Sequence, residues 1–318
     1  MLRAGFAEID ITPPLGTEIV GWIKRIESRR ILDPLYARAA VIESGAKRIA
    51  LLQLDLCFVP GPLVQRIRAR CEERCGIPSD AILVAATHNH AGPVTETIGE
   101  CTADPGYLET LVERVANACA AAATGAVPAE IGQASGCCFD VAHNRRVVLR
   151  DGTVRTHGTF KDPKALCYEG PIDPELAVLA ARDRNGAPLG VVVNFACHPT
   201  HHGSDASLSA GFPGVLAAEL KAAGWPVALF LNGAAGNLHT ANPSRGGANL
   251  SQEEAGARLA AATLEVLQGV VYSNDAALVA GRTELDLPYR TATEDERRGT
   301  VRGAQRFVDP TLYDKQMA

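Results

Sequence analysis

The sequence predicts an α/β protein whose mixed, largely buried β-sheet is flanked by helices. Three observations predict it. Short runs such as ALLQLDLCF (50–58) and VVVNFAC (191–197) are apolar enough to be central strands of a sheet. Segments with apolar residues at helical period lie between such runs. One arrangement, hairpin then helix then strand then polar loop, occurs twice, over 33–98 and 176–243.

In chain order, FAEIDIT (5–11) alternates at strand period and PPLG breaks it. LYARAAVIES and RIALLQLDLCF are two strands joined across Gly45, and PLVQRIRARCEERCG places Leu63, Val64, Ile67 and Cys71 at helical spacing before Gly76 stops it. AILVAA (81–86) is the next buried strand. YLETLVERVANACAAAATG (107–125) is a second helix and AEIGQASG (129–136) a further strand. A second hairpin spans 175–200 with its turn at Asn185-Gly186. FPGVLAAELKAAG is a helix with Pro213 in its first turn and Gly224 at its stop. VALFLNGAAGNLH (227–239) is a strand ending in glycines, and SQEEAGARLAAATLEVLQG is a further long helix, capped by Ser251 with Glu254 three residues on. TATEDERRGTVRGAQRF (291–307) is a polar helix candidate.

The composition bounds the function classes. With 318 residues, 47% hydrophobic and 21% charged, the chain reads as one soluble domain over 1–318. A net charge of −5 and no dense basic stripe exclude a nucleic-acid surface. The N-terminus holds no apolar signal core and nothing is long enough to span a membrane, so the expected location is cytoplasmic. Nine cysteines without a CxxC pair read mostly as buried free thiols rather than a disulfide framework or a cysteine-based zinc site. No GxGxxG or GxxxxGK[ST] motif supports a nucleotide, and Ser209 in SLSAG lacks the setting of a nucleophile elbow.

The informative stretch is VAATHNHAGP (84–93). His88 and His90 follow a buried strand one residue apart, so along an extended chain their imidazoles project to one side and Asn89 to the other. His198, in NFACHPT, ends another buried strand. Imidazole is the common neutral nitrogen ligand of zinc, and a catalytic zinc takes three protein ligands and keeps one position open. His88 and His198 supply two. His90, His239 and Asp55 are the candidates for the third, and spacing does not rank them. The run Gly233–Gly236 is either an anion-binding nest or only a sharp turn. His201 and His202 are loop histidines, and His143 and His157 receive no role.

AGFAEIDITPPLGT, THNHAGP, HNRR, NFACHPT, SAGFPG and NGAAGNLHTANP, in that order along the chain, resemble the neutral/alkaline non-lysosomal ceramidase family, in particular its bacterial homologues of undefined substrate. The resemblance implies a zinc-dependent amide hydrolase in which metal-bound water attacks a polarised carbonyl. It implies His88 and His198 as zinc ligands, and His90 beside the metal holding the oxygen of the tetrahedral intermediate. It implies Arg145, after Asn144, on the same oxygen or on the substrate carbonyl. Where the family reads GDVSPN this chain reads Gly236, Asn237, Leu238, His239; the family serine is missing, and Asn237 and His239 become substrate-binding candidates. The family's further Glu and Tyr ligands come from a C-terminal region not recognisable before Ala318. The expected partner is a small-molecule substrate, smaller or more polar than ceramide, with a homo-oligomer left open. A non-catalytic binding module on the same fold is the alternative.

Overall fold

The computed structural model describes residues 2–22, 24–288, 291 and 293–298. Its principal elements are β1 (Leu2–Asp10), β2 (Tyr36–Ser44), β3 (Lys47–Leu54), α1 (Gly61–Cys75), β4 (Ile82–Ala86), α2 (Pro105–Thr124), β5 (Val127–Cys137), β6 (Glu175–Asp183), β7 (Pro188–Phe195), α3 (Gly211–Ala222), β8 (Ala228–Asn232), α4 (Gln252–Gln268) and β9 (Val271–Ser273). One mixed sheet runs β8-β7-β6-β5-β1-β2-β3-β4, and β9 adds to β5. The two-fold repetition read from the sequence is present in its pairing. β2 and β3 form an antiparallel hairpin and β4, reached through α1, lies parallel to β3. β6 and β7 form the second hairpin, and β8, reached through α3, lies parallel to β7.

Strand alternation sorts the side chains into layers. Ala50, Leu52 and Leu54 of β3 pack with Leu63 and Ile67 of α1 and with Leu111 and Val115 of α2. Val191 and Val193 of β7 pack with Phe212 and Leu216 of α3 and Leu259 of α4. The intervening residues point the other way and meet each other: Ala40, Leu51, Leu179, Val192, Leu229 and Leu231 form a separate cluster with Phe6. The sheet therefore curls over on itself, and the molecule is layered helix, sheet, sheet, helix. This double burial explains why β3 and β7 read as nearly continuous apolar runs rather than as alternating ones.

Local chemistry sets the helix ends. Asp104 accepts from the amides of Gly106 and Tyr107, with Pro105 behind it, so α2 starts two residues before the predicted Tyr107. α1 stops at Gly76 in the left-handed region, and Ser251 and Glu254 make a reciprocal capping box on α4. Of the polar helix expected over 291–307, Glu294–Arg297 is helical; most of the rest lies outside the described residues. Among the described residues no helix is long and apolar enough to cross a membrane.

Candidate metal centre

The strands β4 and β7, one from each repeat, deliver the histidines. Thr87 follows β4 with its amide on the Leu54 carbonyl, 3.0 Å away. His88 comes next with φ of 66°, a left-handed conformation that costs a residue with a side chain about 1 kcal/mol or more. The pair thus converges through a turn, not through the extended alternation expected from the sequence. Asn89 points away as expected, its amide donating to the Ser209 carbonyl. His198 follows β7 and Cys197 from the other repeat.

Three imidazoles meet. Ring centroids of His88, His90 and His198 are 4.8, 4.5 and 4.9 Å apart in the pairs 88–90, 88–198 and 90–198. His90 Nε2 lies 3.3 Å from His88 Nε2 and 3.1 Å from His198 Nε2. The opposite nitrogens fix the tautomers, because each faces a main-chain carbonyl that can only accept. Nδ1 of His88 donates to the Cys57 carbonyl at 2.9 Å, Nδ1 of His90 to Gly21 at 2.9 Å, and Nδ1 of His198 to Ala235 at 3.2 Å. All three Nε2 atoms then carry lone pairs, with that of His90 within 3.3 Å of the other two nitrogens. Burial lowers the pKa of His90 to about 3 and of His198 to about 4, each pushed further by neighbouring histidines. With no N–H among the three Nε2 atoms, the arrangement is repulsive unless a cation stands between them, and neutral nitrogen donors held by outer hydrogen bonds are what zinc takes.

A second donor set overlaps the first: Cys57 Sγ with His88 and His90, all within 4.8 Å of one another. Sγ lies 3.8 Å from His88 Nδ1, the nitrogen already bound to a carbonyl, so the two sets compete for opposite edges of one ring. Burial pushes the Cys57 thiol up to about 12, which disfavours the thiolate a metal needs. The three-nitrogen set is the better fit. The remaining candidates for a third ligand are otherwise engaged. Asp55 is fully buried, its carboxylate accepting from Arg38 Nη1, Gln53 Nε2 and the Tyr36 amide, each at 2.9 Å. His239 receives the Ala241 amide at Nδ1 (2.9 Å), so its Nε2 carries the proton and donates to Thr200 Oγ1 (2.7 Å).

Arg145 stands beside the histidines. Nη2 donates to the Gly236 carbonyl at 2.7 Å and Nη1 to His157 Nε2 at 3.3 Å, while Nε is buried without a partner. Asn144 holds the adjacent chain by donating to the Gly170 carbonyl at 2.9 Å, and the Asn237 carbonyl accepts the Arg145 amide at the same distance. The glycine run 233–236 offers carbonyls here, to His198 and Arg145, rather than the row of amides a nest would present. Ser209 is buried, bonded to Asp33 and Gln252, in keeping with its dismissal as a nucleophile.

Sequence reasoning missed three contributors. Gly21 sits at φ of 103°, where an added Cβ would come 2.5 Å from His90 Nδ1. Gly203, at φ of 105°, lets the backbone approach the His90 carbonyl, onto which Trp22 Nε1 also donates at 2.8 Å. His157, also left-handed at φ of 57°, packs its ring 5.2 Å from that of His239 and accepts from Arg145. No spacing signal marked any of them.

No family model matches the chain. Over 175 residues, 52% of its length, it is 25% identical to the neutral ceramidase of Pseudomonas aeruginosa, of which the match spans 25%. The crystal structure of neutral ceramidase from Pseudomonas aeruginosa matches with a TM-score of 0.70 and 24% identity, covering 84% of this chain and 45% of that one. A ceramidase complexed with C2 matches with a TM-score of 0.68 and 23% identity, over 84% and 44%. The chain thus spans less than half the length of these relatives.

Proposed function

We propose, from the premise that this chain is neutral ceramidase-like in sequence and fold, that it is a zinc-dependent hydrolase of an amide bond in a small or polar substrate. The observation that carries the reading is the convergence of His88 and His198 on His90, whose Nε2 lies 3.3 and 3.1 Å from theirs, each imidazole oriented by a main-chain carbonyl. His88, His90 and His198 would hold the ion. Bound there, zinc supplies Lewis-acid polarisation of a carbonyl and acidifies water toward a pKa of about 7.

The assignment of His90 differs from the one the family resemblance implies. To hold an oxyanion His90 needs an N–H at Nε2, and its proton is engaged at Nδ1 by Gly21. That supports a ligand role and leaves the substrate oxygen to Arg145. Its two anchored Nη atoms keep the guanidinium in place without a carboxylate partner among the described residues, so its charge is free to meet the negative charge that develops on a carbonyl oxygen. Asn237 and His239 line the same loop; with both His239 nitrogens bonded, His239 would contact substrate through its carbon edge, and Asn237 through its amide.

The test is metal analysis of protein purified without chelator, followed by a panel of N-acyl amines. One zinc per chain, lost in His88→Ala, His90→Ala and His198→Ala, together with amide turnover that needs the metal, is expected. Zinc without turnover on any amide would favour the binding-module alternative. No zinc in a folded chain would defeat the proposal.

A further inference from the structure

A single side-chain amide joins the two strand tips that carry His88 and His198. Asn232, the last residue of β8, accepts at Oδ1 from the Cys197 amide (3.2 Å) and donates from Nδ2 to the Thr87 carbonyl (3.0 Å). Cys197 immediately precedes His198, and Thr87 immediately precedes His88. The amide's orientation is fixed by its partners, because rotating it would set Nδ2 against an N–H and Oδ1 against a carbonyl. Its own strand is tied to the second repeat by register, Asn232 opposite Phe195, while Thr87 is tied to the first repeat through Leu54. Asn232 therefore reaches across the seam where the two sheet layers meet, one residue short of each imidazole.

We propose that Asn232 is a positioning residue whose amide sets the gap between the two strand tips and so the separation of the His88 and His198 nitrogens. The proposal rests on the metal reading above. His88 gains most from such a tie. Its left-handed backbone is held against a local preference for other conformations, and a tip freed on one side relaxes away from that strain. Neither hydrogen bond touches an imidazole, so the effect on the metal is carried by the backbone alone.

Asn232→Leu removes both hydrogen bonds at similar volume and adds no charge; Asn232→Ser removes them with less bulk. Asn194→Leu is the matched control, because Asn194 Nδ2 also donates to a main-chain carbonyl, that of Leu231 at 2.8 Å, without bridging the tips. Zinc affinity is measured on the full metal-free chain by competition with a chromogenic chelator, alongside the visible spectrum of the cobalt(II) form and the thermal midpoint. Both Asn232 variants are expected to bind zinc about 10–100-fold more weakly than wild type, the loss usual when a support of a metal ligand is removed, with an altered cobalt spectrum. Asn194→Leu is expected to keep wild-type affinity and spectrum whatever it does to the midpoint. Wild-type affinity in either folded Asn232 variant overturns the proposal. Failure of both to fold also overturns it, since the amide is then a requirement of the sheet itself. A wild-type titration showing no zinc binding defeats the metal reading first, and this proposal with it, so the two failures are told apart by the wild-type protein.

Discussion

Replacing Asp55 by alanine separates a structural carboxylate from a metal-binding one. Asp55 directly follows β3 and is a carboxylate, so sequence alone leaves it as a ligand candidate. In the structure it is fully buried against Arg38, which is 4% exposed, with Nη1–Oδ2 at 2.9 Å. Removing one partner of a buried pair costs about 3–5 kcal/mol because the other charge is left without compensation. Arg38 retains Glu8 at 3.3 Å and Gln53 at 3.4 Å, which places the expected loss near the lower end, about 3 kcal/mol. At about 2–4 °C per kcal/mol for a domain somewhat smaller than this one, the midpoint should fall by about 6–12 °C. Differential scanning calorimetry of the metal-free chain reads the stability, and chelator competition reads the zinc. Zinc stoichiometry and affinity should stay at wild-type values. An unchanged midpoint with lost zinc binding would refute the reasoning and return Asp55 to the ligand set.

Four further outcomes are expected. Arg145→Ala should leave zinc content unchanged and lower kcat on the best amide substrate by about 100–1000-fold, the usual effect of losing an oxyanion donor; equal turnover would remove Arg145 from the mechanism. The metal-free chain should lose stability as pH falls from about 6.5 toward 4. Burial holds His90, His198, His201 and His239 below the ordinary histidine range, at about 3, 4, 4 and 3. The unfolded chain takes up protons in that window and the folded chain does not, so stability is fully present above the unfolded pKa and declines below it, by about 1.4 kcal/mol per pH unit for each excess proton. Urea midpoints that are flat across this window would contradict it. Gly21→Ala, with its Cβ driven into the His90 ring, should weaken zinc binding while the far side of the fold keeps its hydrogen-exchange protection; undiminished affinity would show that the ring adapts. Ser251→Ala should cost about 1 kcal/mol through loss of the α4 capping box and leave the metal untouched, read from chemical denaturation.

Much of the fold is legible in the sequence because its strands and helices obey their periods and punctuation. The β3 and β7 runs announce burial on both faces, and Gly76, Asn185-Gly186 and Ser251 mark ends by mechanisms that act within a few residues. The curl that sets one sheet half against the other is not legible, since alternation tells which residues share a face but not what that face meets. The site divides the same way. His88, His90 and His198 stand out as strand-end histidines, whereas Gly21 and Gly203 matter through close backbone approach to His90, and His157 and Asn232 through hydrogen bonds of 3.0–3.3 Å to other segments. Asp55 could be withdrawn from the ligand candidates only once Arg38 was seen against it. The left-handed His88 was hidden as well, because nothing in THNHAGP says which residue breaks the extended path.

The atoms that aim the three imidazoles belong to Gly21, Cys57 and Ala235, and all are peptide oxygens. A peptide oxygen is common to every amino acid, so point mutation at Cys57 or Ala235 does not erase it. Natural variation can recast the side chains around the three histidines while the aim of the nitrogens is inherited through the course of three loops. Protein engineers working on this scaffold should therefore vary the side chains around the three histidines and leave the lengths of those loops alone.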